Sequence, residues 1–106
     1  MFRRRYRFVI QYQQAGKGLE ALRRLRSIER DRGWAESRMF TPTPGVLNEF
    51  VHEADYPDRS AHEIEGEARS VDDESRAAWA DLYPLVVPGT FVIEYLDGIE
   101  LDQGPP

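Results

Sequence analysis

The segment Gly45–Tyr56, Gly-Val-Leu-Asn-Glu-Phe-Val-His-Glu-Ala-Asp-Tyr, constrains the fold more than any other stretch. It leaves a Gly turn, alternates in character and runs out at Pro57, so it reads as a central strand. Asn48, Phe50 and His52 share one parity; Leu47, Glu49, Val51 and Glu53 share the other. Side chains alternate across a strand, so both faces mix apolar with polar groups and neither reads as wet or dry. Such a sheet needs cover on both sides. In 106 residues that cover is one layer of helices and a partner.

Residues 4–13 form the first expected strand, with Tyr6, Phe8, Ile10 and Tyr12 on one face and Arg5, Arg7, Val9 and Gln11 on the other. After Gly16-Lys17-Gly18, Leu19, Leu22, Leu25 and Ile28 recur at helical spacing, and Gly33 is a fitting helix end. A short strand over 34–43 stops at Pro42 and Pro44, with Trp34 a core anchor. Beyond Pro57, Ser60 and Glu63 form a capping box, followed by Ala61, Ile64 and Ala68 at helical spacing. A second cap, Ser70 with Asp73, restarts a helix whose inner face is Ala78, Trp79 and Leu82. Residues 90–96 are the last strand. Asp97-Gly98 is a tight-turn signal that can return Ile99–Leu101 as a short extra strand, and 102–106 reads as a loose tail.

This order is that of a ferredoxin-like α+β domain over residues 1–106: βαββαβ, a four-stranded antiparallel sheet with its helices on one face. The charge layout agrees. Residues 1–38 hold 11 of the 14 Lys and Arg against 4 acids, and the acids concentrate after them. The topology sets the basic first helix beside the acidic second one, which accounts for the asymmetry without a ligand.

The run Asn48-Glu49-Phe50-Val51-His52-Glu53-Ala54-Asp55-Tyr56-Pro57, an acid-rich helix after it, and Leu85-Val86-Val87-Pro88-Gly89 before the final strand resemble the NIPSNAP-like branch of the dimeric α/β-barrel superfamily. The resemblance runs from Arg4 to Leu96. It implies a homodimer whose two sheets pack face to face into a barrel with helices outside. The wider superfamily includes antibiotic-biosynthesis monooxygenases, haem-degrading oxygenases, small isomerases and many members without a known activity. Fold does not choose among them.

Composition removes several chemistries. The chain has no Cys, hence no disulfide, thiolate nucleophile or Cys-held metal. No apolar run approaches the roughly 20 residues of a membrane helix, and Met-Phe-Arg-Arg-Arg lacks an apolar signal core, so a cytoplasmic protein without a membrane partner is expected. RNA-recognition modules share the topology and stack bases on central-strand aromatics, but Glu49 and Glu53 on the central strand would repel phosphate. No nucleic-acid partner, cofactor or metal is expected.

Four residues are candidates for a ligand site. His52 can act as a base or ligand near neutral pH, or be a packed strand residue. Asn48 can hold a carbonyl or satisfy a strand end. Tyr12 can line a pocket or an interface. Trp79 fits core packing, although a haem-oxygenase relative would place a Trp, an Asn and a His near its substrate. His52-Glu53 and His62-Glu63 lack metal-binding spacing. The functional expectation is a dimer that binds a small apolar or aromatic molecule in a pocket between sheet and helices. The alternatives are a cofactor-free or haem-using monooxygenase and a purely structural or regulatory dimer.

Overall fold

The computed structural model describes residues 1–101. Four strands, β1 (Phe2–Val9), β2 (Arg38–Phe40), β3 (Glu49–Tyr56) and β4 (Val92–Asp97), form one sheet in the order β2-β3-β1-β4, and every pairing is antiparallel. Three helices, α1 (Ala15–Arg32), α2 (Arg59–Ser70) and α3 (Asp73–Leu82), cover one face, and a 3-10 turn over Tyr83–Leu85 follows α3. The expected ferredoxin-like topology is present.

The two sheet faces separate cleanly, unlike the mixed reading of the central strand. In β1, Phe2, Arg4, Tyr6 and Phe8 stand opposite Tyr56, Ala54, His52 and Phe50 of β3, and this parity faces the helices. The other parity sets Arg3 and Arg5 opposite Asp55 and Glu53, and Arg7, opposite Val51, reaches Glu49 diagonally at 3.8 Å. Arg3 Nε donates to Asp55 at 2.7 Å, Arg5 Nε donates to Glu53 at 3.0 Å, and Arg38 of β2 reaches Asp55 at 2.8 Å. The acids that blurred the strand's parity are neutralised by neighbouring strands. The central aromatics Tyr6 and Phe8 face the helices, away from the surface on which an RNA-recognition module stacks bases.

Several expected boundaries move. β1 begins at Phe2 and ends at Val9, because Gln11 N–H bonds Leu85 O and Gln13 turns through φ 67°. β2 shrinks to three residues, and β3 begins at Glu49 because Asn48 sits at φ 60°. Asp58, rather than Ser60, caps α2 by accepting from Ala61 N–H at 2.8 Å. Asp72, rather than Ser70, caps α3 by accepting from Ser75 N–H at 2.9 Å; Ser70 belongs to α2. Ile99–Leu101 form no strand, and the expected tail over 102–106 lies outside the described residues.

The main core joins Phe8 and Ile10 to Leu22, Leu25 and Ile28 of α1 and to Ala78 and Leu82 of α3. Gly18 lets α1 approach the residue that follows β1 closely: a Cβ there would stand 2.3 Å from Ile10 Cδ1. Gly33 ends α1 in the left-handed region at φ 69°, and Trp34 N–H returns to Glu29 O at 2.9 Å. As the charge split implied, α1 pairs with the acidic half, Arg24 with Asp81 at 2.6 Å and Arg32 with Asp72 and Glu74 of α3 and its cap. No helix among the described residues is long and apolar enough to cross a membrane.

Candidate ligand pocket

Between the inner sheet face and α2 and α3 lies a cavity of about 500 Å³. β1 supplies Arg4 and Tyr6 to its wall, α2 supplies His62, Gly66 and Arg69, and α3 supplies Ser75 and Trp79, with Tyr83 just beyond. The volume falls within the range of about 300–1,000 Å³ usual for small-molecule sites.

Aromatic rings dominate one side. Tyr6 stands edge-on to Trp79 at 5.7 Å between centroids, and Trp79 stacks on Tyr83 at 5.5 Å. Burial and the neighbouring Tyr6 push the Tyr83 phenol up from its ordinary value. Tyr56, also on the wall, is pushed up to about 12 by burial, and its hydroxyl donates to Glu65. These phenols stay protonated at neutral pH.

Three guanidiniums line the cavity; that of Arg76 is exposed, and the two inner ones differ in kind. Arg69 is fully engaged: it donates to Glu29 at 2.9 Å, to Glu65 at 3.0 Å and to the Ala35 carbonyl at 3.2 Å. Glu29, itself 1% exposed, also accepts from Ser37 N–H and Oγ–H. Arg4, 3% exposed, has no carboxylate; its Nε and Nη2 are buried without a partner. Its guanidinium lies 4.6 Å from the Tyr6 ring centre, a cation–π contact. Among the described residues, no Asp or Glu lines the cavity.

No family model matches the sequence, and no curated protein matches it. Solved structures do. A NIPSNAP domain protein from Burkholderia xenovorans is 17% identical, covering 98% of this chain and 100% of its own, with a TM-score of 0.77. A NIPSNAP family protein from Agrobacterium tumefaciens is 13% identical over 94% of each chain, with a TM-score of 0.74. A structure described as an antibiotic biosynthesis monooxygenase is 15% identical, covering 94% of this chain and 100% of its own, also at 0.74. The chain has their fold. The resemblance read from its residues holds at that level, and identities this low carry nothing further.

Of the four candidate residues, the structure brings two together. His52 is 1% exposed, stacks on Tyr6 at 5.9 Å and meets the Trp79 edge at 5.8 Å. It lies behind the ring wall of the cavity, and both ring nitrogens are buried without partners. Burial, with Arg4 and Arg69 adding repulsion, pushes its pKa down to about 3. The imidazole is therefore neutral at pH 7, and the expected proton shuttle near neutrality does not fit it. Glu53 points to the opposite face, where it holds Arg5, so no His52-Glu53 metal pair exists.

Asn48 and Tyr12 stand apart from the cavity. Asn48 precedes β3 and its Nδ2 donates to Gln11 O at 3.5 Å, while Tyr12 is 75% exposed in the turn after β1. The wall residues Arg4, Tyr6, His62 and Arg69 were not among the sequence candidates. One signal was available for Arg4: it is a charged residue at the core parity of a strand, beside Tyr6. His62 is enclosed by Phe2, Tyr56 and Tyr95, with ring centres within 5.4 Å, and burial lowers its pKa.

Proposed function

We propose that this chain is a cytoplasmic binding protein that holds a small aromatic molecule between its sheet and α2 and α3. The observation that carries the reading is the cavity of about 500 Å³ walled by Tyr6, Trp79 and Tyr83. Rings placed edge-on and offset favour a further ring between them, each such pair contributing about 0.5–1.5 kcal/mol beyond area burial. The volume exceeds the lower end for ligand sites, which favours this reading over a dimer without a ligand. Burial holds the His52 pKa down at about 3, which favours holding a molecule over exchanging protons with it near neutral pH.

A homodimer through the open sheet face belongs to the same proposal. Its support is a face that no element among the described residues covers, where Phe40 and Val92 remain 50% and 47% exposed among the ion pairs. Light scattering at micromolar concentration tests it: a dimer is expected, and a monomer ends it.

The pocket is tested with Gly66→Leu. A Cβ on Gly66 meets nothing within 4 Å, and the residue lines the cavity, so a larger side chain fills it without disturbing α2 packing. A panel of one- and two-ring aromatic compounds is screened by thermal shift. Compounds that raise the Tm of wild type and leave Gly66→Leu unmoved are expected; equal shifts in both proteins would place binding elsewhere.

A further inference from the structure

We infer that the molecule held in this cavity is an aromatic carboxylate, its ring against Tyr6 and Trp79 and its carboxylate on Arg4. The inference rests on the aromatic-pocket reading and adds the charged group. Arg4 is the observation. A buried guanidinium is costly unless paired, and the enclosed Arg69 shows how the fold settles that cost. Arg69 takes two carboxylates and a carbonyl. Arg3 and Arg5, less buried, each have an acid within 3.0 Å.

Arg4 alone faces a cavity with Nε and Nη2 unpartnered, no acid on the wall, and a ring system beside it. A guanidinium is a planar fork whose donors match a carboxylate in two parallel hydrogen bonds. The site offers one deep cation of this kind, since Arg69 is committed to Glu29 and Glu65 and Arg76 stands exposed at the cavity's edge. A singly charged planar anion matches that supply. A phosphate dianion would bring more charge than one guanidinium neutralises.

The test is calorimetric titration with 2-naphthoate, its neutral isostere 2-naphthamide, and 2-naphthyl phosphate, on wild type and Arg4→Met. Wild type is expected to bind naphthoate at least tenfold more tightly than the amide. Arg4→Met is expected to bind both within twofold, at about the wild-type affinity for the amide. Equal affinity of wild type for acid and amide overturns the inference and leaves the aromatic pocket standing. Tightest binding of the phosphate overturns the carboxylate assignment. Absence of binding by any of the three overturns the aromatic pocket itself, and this inference with it. The acid-to-amide ratio in wild type decides the matter even where Arg4→Met folds poorly.

Discussion

The guanidinium of Arg4 lies 4.6 Å over the ring of Tyr6, inside the protein, with no carboxylate among the described residues to meet it. On the same cavity wall the fold pairs Arg69 with Glu29 and Glu65, so the omission at Arg4 is local. A buried unpaired charge is a site feature before it is a stability feature.

Arg4→Met is expected to raise stability. The substitution keeps an unbranched apolar stem and removes the desolvation cost, while giving up a cation–π contact of about 0.5–2 kcal/mol. A gain of about 1 kcal/mol or more in urea unfolding is the expected result, and a lower midpoint would show that Arg4 is already satisfied in the free protein.

Arg69→Met should do the reverse. It leaves Glu29, 1% exposed, with the Ser37 hydrogen bonds but no cation. Removing one partner of a buried pair costs about 3–5 kcal/mol. Urea midpoints of the Arg4 and Arg69 variants therefore move in opposite directions from wild type.

His52 gives the protein a pH slope of known sign. Its folded pKa is about 3 against an ordinary value of 6.5, so between those values the unfolded chain binds the proton and the folded one does not. Stability is full above about pH 6.5 and falls as the pH drops toward 3, at up to about 1.4 kcal/mol per pH unit. From pH 7 to 4.5 wild type is expected to lose about 2–3 kcal/mol more than His52→Leu. Asp55, held low chiefly by its hydrogen bond from Arg3, adds a loss below about its ordinary value of 3.8 that both proteins share. Parallel pH profiles would remove His52 as the cause.

Two helical glycines should respond oppositely to Ala. At Gly18 the new Cβ meets Ile10 Cδ1 at 2.3 Å, and overpacking of this kind costs about 1–3 kcal/mol. At Gly66 the Cβ meets nothing, and a helix-interior Gly→Ala change contributes up to about 1 kcal/mol of stability. Thermal unfolding of the two variants separates them.

The topology was legible because it is written in periodicity. Leu22, Leu25 and Ile28 recur at helical spacing, Tyr6 and Phe8 alternate, and all five end in or against one core. Element ends were less legible, since parity does not say where pairing stops. Tyr12 continues the alternation of β1, yet Gln11 bonds Leu85 O and the chain turns at Gln13. Caps were misplaced by two residues because Asp58 and Ser60 are both good caps and only the backbone path chooses between them. The pocket was legible at Trp79 and hidden at Arg4, Gly66 and Arg69. Those three come from a strand and a helix far apart in sequence, and only their packing brings them to one wall.

The chain has two tryptophans, and they divide the account sharply. Trp79 walls the cavity, whereas Trp34 sits against Arg32 and Arg69 outside it. A ¹H–¹⁵N titration with 2-naphthoate reads both indole N–H signals together with the Arg4 Nε–H. The Trp79 and Arg4 signals are expected to move with a common binding curve while Trp34 stays in place. Signals of Trp79 and Arg4 that stay fixed through saturation, or a Trp34 signal that moves instead, would contradict the account.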